Sequence, residues 1–128
     1  LDKADELFKK GMCDEAIKAY NASYAIDPHN SKAMFGKGRA YYAKGEYNEG
    51  LLRLTEAIES TQYKLSNSDY ADMWMYKAMA LKKLGQDLEA DYASDKAEEL
   101  DPSRLLEPVV ESCASQAPSP FNETESKP

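Results

Sequence analysis

Gly11-Met12-Cys13-Asp14-Glu15-Ala16 returns as Gly45-Glu46-Tyr47-Asn48-Glu49-Gly50 and again as Gly85-Gln86-Asp87-Leu88-Glu89-Ala90. Each copy has a glycine, then Glu four residues later, then Ala or Gly. The copies are 34 and then 40 residues apart. A second marker agrees, because Asp27-Pro28 and Asp101-Pro102 are separated by the whole of that interval. A fixed spacing carried by two independent markers is the signature of tandem supersecondary units, and it decides the fold class before any single element is assigned.

Working outward from each glycine, the preceding residues repeat small or apolar side chains at i, i+4 and i+7: Met34, Gly38 and Tyr41 in the middle unit, Trp74, Ala78 and Leu81 in the last, and Ala4 and Leu7 in the first. That period is one face of a helix. Glycine can then take the left-handed conformation that closes a helix C-terminus. After it a second helical stripe runs through Ala16, Tyr20, Ser23 and Ile26, through Gly50, Leu54 and Ala57, and through Ala90, Ser94 and Ala97. In the first and third units this stripe ends at Asp-Pro, where proline lacks the N–H that a continuing helix needs. The small residues Ala4, Gly38, Ala78, Ala16, Gly50 and Ala90 let paired helices approach closely, while Leu7, Tyr41 and Leu81 fill the space beside them.

Trp74, Ala78, Leu81, Gly85, Ala90, Ala97 and Pro102 together resemble the tetratricopeptide repeat, and Ala4, Leu7, Gly11, Ala16, Tyr20 and Pro28 match its places in the first unit. The resemblance covers residues 1–102. It implies an all-α fold, an α-solenoid of three helix-turn-helix repeats. The expected divisions are a first repeat over 1–30 lacking its opening turn, a second over 31–64, and a third over 65–102 that includes an extended inter-repeat segment. Thr61 and Gln62 stand where the second unit would have Asp-Pro. There the sequence predicts a helix running past Ser60, with Asn67 or Ser68 capping a lengthened successor whose first turn holds Asp69. Leu105, Leu106, Val109, Val110 and Cys113 predict a C-terminal capping helix over 103–115, with Pro108 at its start or at a kink. The Pro-rich stretch 116–128 predicts a disordered tail. Asn122-Glu123-Thr124 fits a glycosylation acceptor only at the level of chance.

Composition narrows the function. The 128 residues carry 16 Lys and Arg against 23 Asp and Glu, a net charge of −7, which argues against nucleic acid and anionic membrane surfaces as partners. No apolar run approaches the ~18 residues needed to span a bilayer, so no membrane insertion is expected and the chain reads as soluble. It begins with Leu1, and reads as a fragment or processed product. His29 lies in Asp27-Pro28-His29-Asn30, which reads as a turn without zinc partners. Cys13 and Cys113 stand at opposite ends of the sequence, too far apart in an elongated fold for a disulfide. They are expected as free thiols in a reducing, cytoplasmic setting. No catalytic cluster, metal set or cofactor is indicated, and the enzyme reading is the weakest.

In such an array, as the resemblance implies, the first helix of each unit lines a concave groove for a peptide or a partner's helix. One residue on from the core stripe those helices carry the rows Leu1, Phe35, Met75; Asp5, Arg39, Met79; and Phe8, Tyr42, Lys82, with Tyr76 beside them. A second apolar strip on helices already provided with a core stripe predicts a surface awaiting a ligand. The candidate groove residues are therefore Phe8, Phe35, Arg39, Tyr42, Met75, Tyr76, Met79 and Lys82. Arg39 has an equal alternative role, pairing with Asp5 across the stack. Relatives that hold the acidic tail of cytosolic chaperones use a carboxylate clamp of Lys, Asn, Asn, Lys and Arg. The matching places here are Leu1, Asp5, Gly36, Asp72 and Tyr76, and none agrees. The expected function is a noncatalytic module binding a protein or peptide partner in an apolar groove, with self-association or a longer array as the alternative. Residues 71–102 hold 8 acidic and 4 basic side chains, and their second helix reads as a solvated face or a dock for a basic partner.

Overall fold

A computed structural model describes residues 2–60, 64–103 and 113. Six helices follow one another: α1 (Asp2–Lys9), α2 (Cys13–Ile26), α3 (Ser31–Ala43), α4 (Tyr47–Glu59), α5 (Asn67–Lys83) and α6 (Asp87–Leu100). Among the described residues there is no strand. Each helix packs on the next, and α3 also meets both α1 and α5, so three hairpins stack in sequence order with their first helices side by side.

The turn within each hairpin has one construction. Gly11, Gly45 and Gly85 have φ of 82°, 89° and 80°. In the first, the Gly11 N–H donates to the Phe8 carbonyl (2.9 Å) and the Met12 N–H to the Leu7 carbonyl (3.0 Å), and Gly45–Glu46 and Gly85–Gln86 repeat this pair of bonds. This double closure satisfies carbonyls that the helix end leaves open, and it requires the left-handed residue that glycine supplies.

The connections between hairpins differ from one another. Asn30 caps α3 by accepting from the Ala33 N–H (3.2 Å), and the Asp27 side chain accepts from the His29 N–H (3.1 Å), so His29 belongs to a turn. The segment before α5 corrects two expectations. Helix α4 stops at Glu59, with Ser60 in an extended conformation, and the cap of α5 is Ser66. Its hydroxyl oxygen accepts from the Asp69 N–H (3.1 Å) while the hydroxyl donates to the Asp69 carboxylate (3.0 Å), a reciprocal arrangement open to neither Asn67 nor Ser68 at that register. The result is the 17-residue α5. Of the predicted capping helix, residues 104–112 and 114–115 lie outside the described residues, as does the whole of 116–128.

Close approach occurs where small side chains predict it. A Cβ placed on Gly50 would lie 3.1 Å from the Gly38 carbonyl oxygen, and one on Gly38 would lie 2.8 Å from Leu54 Cγ. Backbone therefore meets backbone between α3 and α4. A Cβ on Gly36 would overlap the Tyr20 ring.

One covalent link overturns a sequence expectation. Cys13 and Cys113 form a disulfide, with α-carbons 5.9 Å apart. The expectation of free thiols treated residue 113 as the far end of a rod, whereas Cys113 packs on the first hairpin's core cluster beside Ala4, Phe8 and Ala16. The inference of a reducing compartment, which rested on free thiols, falls with them.

Candidate functional site: the wall formed by the first helices

The eight candidate groove residues divide into two groups. Phe8 (1% exposed), Tyr42 (1%) and Tyr76 (5%) are sealed in the core. The expectation that they belong to a strip offered to a ligand is corrected: a first helix packs against its own hairpin partner and also against the neighbouring hairpins. Tyr42 and Tyr76 occupy that second contact with Leu54 and Ala80, their ring centroids 5.9 Å apart and edge to face. Phe8 joins the equivalent cluster in the first hairpin. Conversely Tyr41 and Trp74, expected on the core stripe, are only partly buried.

Phe35, Arg39, Met75 and Met79 stay partly accessible, and Lys82 is exposed. Arg39 is heavily engaged. Its guanidinium lies 4.6 Å from the Phe8 ring centroid and 4.8 Å from that of Phe35. The same group donates to Asp5 Oδ1 (3.1 Å) and to the Tyr20 hydroxyl oxygen (3.2 Å), while the Tyr20 hydroxyl donates to Asp5. Burial pushes the Tyr20 hydroxyl far above the usual tyrosine range; the Arg39 charge opposes the shift and the bond to Asp5 reinforces it. Arg39 thus takes the cross-stack pairing with Asp5. Three helices contribute to this charged, stacked triad, which engages Arg39.

The C-terminal half is open. Met75 and Met79 of α5 border a hollow of about 330 Å³ with Ala78 and Ala90 beneath, Lys82 and Lys83 on one side, and Asp91 and Ser94 of α6 on the other. Two thioethers over small side chains make an adaptable apolar seat, and both signs of charge stand at its rim. Among the described residues no group of three His, Cys, Asp or Glu side chains is placed to hold a metal. No helix of those residues is long and apolar enough to cross a membrane.

A tetratricopeptide repeat family profile matches residues 1–63. The chain is a member of the tetratricopeptide repeat family. A TPR repeat-containing protein of Methanocaldococcus jannaschii, MJ1428, is 32% identical over 74 residues, which is 58% of this chain and 13% of that relative. The chain therefore matches only a small part of the relative's length. Tetratricopeptide repeats are in general protein–protein interaction modules, typically noncatalytic.

Sequence reasoning missed two features. Tyr20 was legible as a repeat-consensus position but not as the hydroxyl joining Asp5 to Arg39. On the opposite face of α5, Trp74, Lys77 and Leu81 floor a second cleft, between α4 and α6, of about 480 Å³. Its signal was the pair Leu88 and Tyr92, apolar residues one turn apart on a helix otherwise crowded with acids.

Proposed function

We propose that this chain is a noncatalytic binding module that takes an apolar or amphipathic segment of a protein partner at the C-terminal half of its concave wall. The observation that carries the reading is the hollow beside Met75 and Met79. Arg39 is committed to Asp5 and to two aromatic rings, so the N-terminal half of the wall serves as a rigid support. Phe35, half-buried and edge-on to Tyr76 at 5.8 Å, forms the border between the halves. A bound segment would place one or two large apolar side chains over the methionines, with Lys82 available to a carboxylate and Asp91 to a cation. The absence of clamp residues at Asp5, Gly36, Asp72 and Tyr76 argues against recognition of a terminal carboxylate.

Selection of a random peptide display library on the full chain tests this. Selected peptides are expected to share paired large apolar residues and to lose at least about tenfold in affinity toward Met75→Ala/Met79→Ala, a change worth ~1.4 kcal/mol. Peptides that bind this variant as well as the wild type would reject the site.

A further inference from the structure

We propose that the convex cleft between α4 and α6 is a second docking surface, and that its occupant is a basic amphipathic helix of another protein. The face of α5 that floors this cleft (Trp74, Lys77, Leu81) and the face that borders the concave hollow (Met75, Met79, Lys82) are roughly 130° apart at 100° per residue, so the two sites are separate.

The cleft arises from specific replacements between repeats. At the corresponding place between α2 and α4, Lys37 stands over the Tyr24 ring (5.7 Å), and Arg53 holds Glu49 (3.4 Å) and Glu56 (2.8 Å). Burial lowers the Lys37 pKa, with nearby Arg53 acting in the same direction and Glu49 and Glu56 against it, so charged side chains fill that position. Forty residues on, Arg53 becomes Ala93 and Asn48 becomes Leu88. The large polar filler is gone, Leu88 extends the apolar rim, and Tyr92 stands where Leu52 stood. Leu88 is 86% exposed and Tyr92 58% exposed, with Tyr92 edge-on to Trp74 at 6.0 Å.

Charge selects the occupant. Helix α6, DLEADYASDKAEEL, carries six carboxylates and one lysine. Along its outer stripe Leu88 and Tyr92 are followed at helical spacing by Asp95 and Glu99, so an apolar half runs into an acidic half. The local cations, Lys77 over Trp74 (5.0 Å) and Lys96 over Tyr92 (5.7 Å), cover ring faces that an apolar side chain or an incoming cation can take. A second copy of this chain, itself at −7, is repelled by that surface, whereas a helix with large apolar residues followed by a turn of Lys or Arg matches both halves.

Trp74 lines the cleft and is the single tryptophan of the sequence, so its emission reports occupancy there. The probes are a synthetic Leu/Lys helix with Leu at i, i+3, i+4 and i+7, and the same pattern built of Leu and Glu. With the full chain, the Leu/Lys helix is expected to shift Trp74 emission saturably and the Leu/Glu helix to leave it unchanged. Leu88→Ser/Tyr92→Ser, at exposed positions, should weaken binding about tenfold or more. The charge reversal Asp95→Lys/Glu99→Lys should weaken it as well, while Met75→Ala/Met79→Ala leaves it within about twofold. Equal binding of both probes, or wild-type affinity in the Leu88→Ser/Tyr92→Ser variant, overturns the proposal. So does concentration-dependent dimerisation that this variant abolishes, since the occupant would then be a second copy.

Discussion

Cys113 is bonded to Cys13 with the two α-carbons 5.9 Å apart, so a residue that follows the third hairpin in sequence is fixed to the first. A crosslink between residues 100 apart restricts the unfolded chain far more than a local one. Cys113→Ser is expected to lower stability by ~2–5 kcal/mol. For a domain of this size that is a fall in Tm on the order of 10 °C. Thermal unfolding followed by circular dichroism, with and without reductant, checks it: reductant should lower the wild-type Tm toward that of the variant and leave the variant unmoved. A wild-type Tm indifferent to reductant would refute the stabilising role.

Gly36 and Gly45 separate two reasons for glycine. A methyl group on Gly36 would run into the Tyr20 ring, which is fully buried and tethered by Asp5 and Arg39, so the ring cannot swing aside without breaking those bonds. Gly36→Ala is expected to destabilise by ~1–3 kcal/mol through overpacking. Gly45 has open space around it but a φ of +89°, so Gly45→Ala should cost ~1–2 kcal/mol from backbone conformation alone. The additional variant Tyr20→Ala discriminates between them in urea titrations. In that background the Gly36→Ala penalty should largely vanish, whereas the Gly45→Ala penalty should persist.

Tyr20 gives the protein an alkaline limit. Its hydroxyl ionises at higher pH in the folded chain than in the unfolded chain, whose tyrosines titrate near the ordinary 10.0. Below that pH both states hold the proton and the full stability is present. As pH rises above it, the unfolded state loses the proton first and stability declines. Tyr20→Phe should be less stable at pH 7, because the Asp5 and Arg39 bonds lose their hydroxyl. Its further loss between pH 10 and 12 should nevertheless be shallower, by up to ~1.4 kcal/mol per pH unit. Urea midpoints across that range decide it, and parallel slopes for the two proteins would refute the assignment.

Much of this was legible because the turn and the helix contact are local. Gly11, Gly45 and Gly85 announce left-handed closures, and Gly38 with Gly50 announces a backbone contact, whatever surrounds them. The burial of Phe8, Tyr42 and Tyr76 was not legible. A stripe analysis allots each helix one buried face, whereas a first helix in the stack meets both its own partner and the neighbouring hairpins. Arg39 with Asp5 could be anticipated from their matching rows, but Tyr20 could not, since it reaches them from the second helix of the first hairpin. Cys113 escaped because it lies beyond Pro102, where the repeat no longer supplies a register.

The outer edge of α6 carries the last prediction. On α4, Leu51 and Ile58 pack against the next hairpin, Leu51 with Ala78 and Leu81 and Ile58 with Met73, and Thr55 stands between them. Forty residues on, the same positions of α6 hold Asp91, Asp95 and Glu98, all exposed. A further hairpin stacked in this register would have to bury three carboxylates without partners, at several kcal/mol each. These carboxylates oppose the stacking of a further hairpin in this register. Asp91→Leu/Asp95→Thr/Glu98→Ile transplants the α4 face onto α6 and removes three negative charges. Sedimentation velocity should find this variant associating at micromolar concentrations where the wild type does not, through the edge that now resembles an unfilled repeat seat. If the variant sediments like the wild type at every concentration, the acidic residues are not what blocks stacking there.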